Sequence, residues 1–265
     1  MKHIKPYKIF ESNEPNFPTT KEEVIEVCRN YQIYNYTIND DLSIDVDGDV
    51  DLHNQGLGKC LPLRFNYVGG DFDCSNNELK TLEGSPQTVD GDFYCYRNNL
   101  KSLEGSPQTV GGSFNCYRNN LKTLKGCPQT VDGNFYCNIN DLVSLKGSPQ
   151  TVNGDFNCHH NELKSLEGCP QTVGWNFYCY GNKLTDLEHF PDVSGIIDIK
   201  ENTVHCLVYT FIENADSFMI EDFKDYEIVR NGDTVMLDRL QTFIRDNNLE
   251  MPNLEEIKKH YKIIE

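Results

Sequence analysis

Three groups of residues in this 265-residue chain combine side chains and spacings that would support chemistry. Cys158-His159-His160 joins a thiol to two imidazoles, the combination used to hold a soft metal or to activate a thiolate. Asp45-x-Asp47-Gly-Asp49-x-Asp51 alternates carboxylates as a calcium loop does, but its glycine is misplaced for an EF-hand and no bidentate Glu follows at the twelfth position. The third group is larger: Cys74, Cys95, Cys116, Cys137, Cys158 and Cys179 stand 21 residues apart, six of the chain's 11 cysteines. Whether any of these groups can act depends on where the chain points them.

The 21-residue period answers much of that. A phenylalanine stands two residues before each of these cysteines (Phe72, Phe93, Phe114, Phe135, Phe156, Phe177), and Phe-x-Cys is the period-two alternation of a short strand with both side chains inward. An asparagine follows each cysteine by three residues (Asn77, Asn98, Asn119, Asn140, Asn161, Asn182). Two leucine columns come next, beginning at Leu79 and Leu82. Repetition on this scale means that each unit buries its apolar face only against its neighbours, which is a solenoid. A buried asparagine amide can bridge adjacent coils and satisfy backbone groups left open where the strand turns. The remaining half-coil, Gly-x-Pro-Gln-Thr-Val, is too short for a long helix, and Pro86, Pro107, Pro128, Pro149 and Pro170 predict an extended or polyproline-like return.

The template Phe-x-Cys-x-x-Asn-x-Leu-x-x-Leu resembles the leucine-rich repeat core with aromatic and thiol residues in its first two apolar slots. With Ser-Pro-Gln-Thr-Val returns it resembles more closely the short repeat proteins encoded by many tailed bacteriophages, over nearly the whole chain. The resemblance implies an architecture and no particular activity: a leucine-rich repeat-like solenoid with a parallel β-sheet on its concave face and extended, Pro-containing convex returns. A mixed α/β cap is expected at the N-terminus and a helical one at the C-terminus. The expected segments are an irregular arm over 1–18, an N-terminal cap over 19–49, the repeats over 50–204 and a C-terminal cap over 205–265.

The flanks support that division. Thr20-Lys-Glu-Glu23 is a capping box ahead of Val24, Val27, Cys28 and Tyr31 at helical spacing, so a helix over roughly 20–30 follows. Ile33–Ile38 and Leu42–Val46 alternate about Asn39-Asp40-Asp41 as a β-hairpin does. Val50 to Cys60 is a degenerate first coil with Leu52 in the cysteine slot. Beyond Cys206, Tyr226–Arg230 reads as a final strand, Met236 to Ile244 as one helical face, and Asn253-Leu-Glu-Glu256 as the start of a last helix carrying Tyr261.

A formal net charge of -17 argues against gripping nucleic acid through its phosphates. No apolar run spans a bilayer, which needs about 18 residues, and the first ten residues lack a signal peptide's apolar region, so a cytoplasmic protein is expected, in an infected host if phage-encoded. The cysteines read as reduced, because six form one inward column. Cys127 and Cys169 share a turn position two coils apart, about 9.6 Å, beyond the roughly 7 Å that a disulfide spans.

If Phe and Cys point in, their neighbours point out. The columns flanking the cysteines vary from coil to coil while the inner ones barely do, and they use Tyr, Asn, Arg and His, the residues of binding surfaces. The expected partner-binding residues are Asp92, Tyr94, Tyr96, Arg97, Asn115, Tyr117, Arg118, Tyr136, His159, His160, Tyr178 and Tyr180, together with Trp175, the only tryptophan, which interrupts a column of glycines. Tyrosine is also simply a good residue for an exposed strand. Strand alternation sends Cys158 in and His159 out, which breaks up that candidate site. Lys80, Lys101, Lys122 and Lys164 beside Glu83, Glu104 and Glu167 read as a charge-paired edge. Secreted bacterial effectors with similar repeats carry a ligase domain, for which the roughly 60 residues after Cys206 are too few. The expectation is therefore a non-catalytic module with no metal or cofactor, binding an unidentified host or phage protein, with no direct nucleic-acid contact and no membrane. The alternatives are an acidic mimic of DNA that occupies a nucleic-acid-binding host protein, and a virion-associated structural protein.

Overall fold

The computed structural model describes residues 16–209, 212 and 217–265, so the arm expected over 1–18 lies outside them except for Asn16–Pro18. Helix Lys21–Asn30 starts on Thr20, whose hydroxyl accepts from the Glu23 N–H at 3.2 Å while the Glu23 carboxylate accepts from the Thr19 N–H at 2.7 Å. Its buried residues are Val24, Val27 and Cys28. Strands Tyr36–Ile38 and Ile44–Val46 then pair antiparallel, with Asn39 and Leu42 closing the hairpin.

From here the chain is a parallel β-solenoid in which each regular coil contributes two strands of two residues. One sheet has eight strands, from Val50–Asp51 through Phe72–Asp73 and the following Phe strands to Ile197–Asp198. Its register stacks Phe72 on Phe93, Phe93 on Phe114, and so on to Phe177 on Ile197. The other sheet has nine strands and runs from the N-terminal hairpin through Phe65–Val68 and the Thr-Val dipeptides to Asp192–Val193. The return is thus a second sheet, not the purely extended segment that its proline suggested. Proline stands two residues ahead of each Thr-Val pair, as Pro107 does before Thr109–Val110, and its missing N–H leaves the strand's own bonds intact.

Both sheets line one apolar core. The six phenylalanines are fully buried and stack with ring centroids 5.3–5.9 Å apart. Burying each is worth about 1.5–3 kcal/mol. The six cysteines of the column and both leucine columns are equally inaccessible, apart from Leu187 at 1%. The asparagines bridge coils as expected: the Asn119 amide donates to the carbonyls of Cys95 and Cys116, both at 3.1 Å, and its Oδ1 accepts from the Leu100 N–H at 3.1 Å. Each asparagine so satisfies three buried backbone groups on two coils, which fixes the period and the register together.

The C-terminal region is mixed and not simply helical. Helix Ser217–Asp225 and helix Leu237–Asp246, which buries Leu240, Phe243 and Ile244, accompany a three-stranded sheet of Val229–Arg230, Thr234–Met236 and Lys262–Ile264. The last helix is only Leu254–Ile257, because Tyr261 is drawn toward the solenoid, where its hydroxyl donates to the Thr185 carbonyl at 2.7 Å. No helix among the described residues is long and apolar enough to cross a membrane.

Candidate functional site

Outside the Phe sheet, the residues after the cysteines form one continuous row from His53 to Tyr180. His53 Nδ1 lies 2.8 Å from Ser75 Oγ, Tyr96 stacks on Tyr117 at 5.1 Å, Asn138 Nδ2 lies 3.1 Å from His159 Nε2, and His159 stacks on Tyr180 at 4.3 Å. Two clusters stand out along the row. Tyr94 meets Tyr96 edge-on at 6.2 Å and the Arg97 guanidinium lies 5.8 Å over the Tyr117 ring, so Tyr94, Tyr96, Arg97 and Tyr117 form one group with Arg118 stacked beneath Arg97. His160 stands edge-on to both His159 and Tyr180, at 4.9 and 5.2 Å. Asn115 accepts from the Tyr117 N–H at 3.2 Å, holding the start of the turn.

Tyr136 and Tyr178 lie in the row before the cysteines, partly exposed, and burial raises both phenol pKa values. Trp175 belongs to neither row. It is 63% exposed at the edge ahead of Phe177, and its carbonyl accepts from the Gly195 N–H of the following coil at 2.9 Å.

Asp92 has a second occupation. Its Oδ1 accepts from the Ser113 N–H at 2.6 Å, and its other oxygen accepts from the Tyr94 hydroxyl. The bond to Ser113 is one rung of a polar ladder: Asp49, Asp71, Asp92, Ser113, Asn134, Asp155 and Asn176 each accept from the backbone N–H of the next coil. Sequence reasoning passed over this ladder, although the signal was present, since the position before each Phe always carries a short acceptor. It also passed over the left-handed backbone of the column Asn76, Arg97, Arg118, Ile139, His160 and Gly181, at φ between 50° and 64°. Gly181, the one residue there without a Cβ, was the clue.

The other candidate chemistries disperse. Burial pushes the thiols of Cys74, Cys95, Cys116, Cys137 and Cys179 far above the ordinary range, so they keep their protons at neutral pH. Burial, followed by the neighbouring His160, holds the His159 pKa down at about 4. The acidic run is split between the two sheets, with Asp45 accepting from Asn66 Nδ2 at 2.7 Å and Asp51 from the His53 N–H at 2.9 Å. Among the described residues no group of three or more His, Cys, Asp or Glu side chains is placed to hold a metal. The charge-paired edge exists with different lysines: Lys125 meets Glu104 at 2.6 Å and Lys146 meets Glu167 at 2.8 Å, so the pairs run from coil to coil within one column.

Hollows open on the surface of the described residues at two places near these groups. One of about 420 Å³ is lined by Asn76, Arg97, Asn98, Arg118, Asn119 and Asn120, beside the tyrosine group. The other, about 570 Å³, includes His205, Cys206, Glu256 and His260 where the last coil meets the C-terminal region. There burial pushes the Cys206 thiol up to about 11. No family model, curated protein or solved structure matches the chain.

Proposed function

We propose that the chain is a non-catalytic interaction protein of the leucine-rich repeat type, phage-encoded and working in the host cytoplasm, which holds a protein partner on the outer face of its Phe sheet. The observation that carries this reading is a contrast between the outer rows of the two sheets, built on the same repeats. On the return face, Gln and Thr recur unchanged at Gln87-Thr88, Gln108-Thr109, Gln129-Thr130, Gln150-Thr151 and Gln171-Thr172. On the Phe face, the residues after the cysteines are Ser75 and Asn138, which are buried, and Tyr96, Tyr117, His159 and Tyr180, which are half-buried. Drift alone would loosen both outer rows alike. A surface that differs at each coil, and uses aromatic and arginine side chains to do so, suits recognition of one irregular partner. The asparagine bridges support the leucine-rich repeat assignment, and the second sheet is what this chain adds to that pattern.

The acidic-decoy reading calls for a stripe of free carboxylates. The carboxylate column nearest the face is broken by Ser113, Asn134 and Asn176, and its members spend an oxygen on the next coil. Capture of partners from bacterial lysate at about 0.1 and 0.5 M salt tests the choice. A tyrosine-centred face keeps its partner at the higher salt and loses it in Tyr96→Ala/Tyr117→Ala. A decoy releases its partner with salt and is indifferent to the tyrosines.

A further inference from the structure

The chain carries Cys-Tyr-Arg-Asn-Asn-Leu-Lys twice, as Cys95–Lys101 and Cys116–Lys122, and the register places one copy directly on the other. Each copy has an arginine, a lysine and no acid. The equivalent segments before and after include Glu78, Asp141 and Glu162. Within a chain of net charge -17 this is a local cationic island.

The cations in the island also lack a carboxylate partner, although the Arg97 guanidinium lies over the Tyr117 ring. The inter-coil pairs Lys125–Glu104, Lys146–Glu167 and Lys183–Glu162 show that this fold readily matches a cation to a carboxylate one coil away. Among the described residues, Arg97, Lys101, Arg118 and Lys122 have no such partner. The Arg97 N–H donates to Tyr117 O at 3.0 Å and the Arg118 N–H to Asn138 O at 3.1 Å, so the two arginine backbones are stacked at the strand spacing of about 4.8 Å. Arg97 and Arg118 line the 420 Å³ hollow together with Asn76, Asn98, Asn119 and Asn120, and Tyr96 and Tyr117 stack alongside. Two cationic residues on adjacent coils, lining one hollow and with no carboxylate partner, offer a place for an anion.

On this basis, and resting on the proposed function above, we propose that the occupant of this hollow is an acidic segment of the partner protein, with carboxylates clamped by Arg97 and Arg118 and neighbouring side chains laid on Tyr96 and Tyr117. Arginine forks match carboxylates bidentately. A short acidic segment meets the island and its nearest carboxylates only, because charges beyond about 8–10 Å are screened. A long polyanion would also meet the acidic remainder of the surface, which disfavours nucleic acid.

The test uses the full chain and three fluorescein-labelled probes: a peptide of about ten residues alternating Glu with Ser, its Gln counterpart, and a thymidine oligonucleotide of about ten nucleotides. Anisotropy is read in about 50 mM salt, where surface charges still act. The expected result is that the Glu peptide binds about tenfold or more tighter than the Gln peptide, and that Arg97→Asn/Arg118→Asn removes the preference. Asn76 already occupies the same left-handed column, so this variant copies a residue the fold accepts. Lys125→Gln/Lys146→Gln, which removes two cations elsewhere, should keep the preference. Equal binding of the Glu and Gln peptides, a preference that survives the arginine changes, or tighter binding of the oligonucleotide overturns the proposal. If the peptide preference is absent while Tyr96→Ala/Tyr117→Ala still abolishes partner capture, the face is a binding surface for a partner of different charge. If capture ignores the tyrosines while the Glu preference follows the arginines, the acidic site stands and the broader face does not.

Discussion

The two sheets of this solenoid share one core, one period and one set of inter-coil bonds, yet their outer surfaces have different characters. Thr109 pairs with Thr130, and the same pair recurs along the return sheet, while on the Phe sheet Tyr136 pairs with Asn115 on one side and Asn157 on the other. The uniform surface shows what stacking alone asks of an exposed position: a β-branched residue with modest area. The varied surface exceeds that requirement, with rings in contact at 4.3–6.2 Å and the Arg97 guanidinium over the Tyr117 ring. The aromatic and arginine side chains that differ from coil to coil are concentrated on the Phe face, while the changes of sign at Glu104, Lys125, Lys146 and Glu167 lie on the charge-paired edge.

The strongest challenge to this comparison is to damage what both faces share. Phe135→Ala opens a cavity in the middle of the ring stack and should cost about 3–5 kcal/mol in chemical denaturation, with both faces melting in one transition. Separate transitions would mean that the sheets are not built on a common core. Next in size, Tyr96→Ala/Tyr117→Ala should weaken partner binding by about a hundredfold with stability nearly unchanged, as for residues at the centre of an interface. Gln108→Ala/Gln129→Ala on the return face should leave binding within a factor of about two. Equal losses from both pairs would erase the distinction between the faces.

A smaller effect depends on pH. The folded-state pKa of His159, about 4, lies below its ordinary 6.5, so the unfolded chain binds more protons between those values. The contribution of neutral His159 is complete above pH 6.5 and declines as the pH falls toward 4. In His159→Asn, which copies Asn138 of the same row, that part of the pH dependence of stability should disappear. The smallest change expected is a gain: Arg118→Gly relieves a left-handed residue at φ 54° and should leave thermal stability unchanged or raised by up to about 1 kcal/mol, while weakening the acidic-peptide preference.

Much of the fold was legible because stacking converts a sequence period directly into spatial columns. Phe93, Cys95, Asn98 and Leu100 each predict a column with a period of 21; Phe93 stacks on Phe114, Asn119 of the next coil reaches the Leu100 N–H, and all four columns lie in the interior. The return sheet was harder to see. Two residues, Thr109 and Val110, are too few to show alternation, and the preceding Pro107 drew attention to itself. The Asp92 ladder was hidden because a carboxylate in a strand reads as solvated until a backbone N–H is known to lie one coil away. At the C-terminus no period exists to guide the reading, and the strand Lys262–Ile264 pairs with Thr234–Met236 across a long stretch of chain that local patterns do not span.

The claim that one face alone recognises the partner is tested most directly by placing a photo-crosslinking amino acid on each face in turn. At Tyr117 or Tyr136, irradiation in bacterial lysate should yield one dominant adduct, while at Thr109 or Thr130 on the return sheet it should yield none above background. A shared adduct from both sheets, or one from the threonine positions only, would contradict the account.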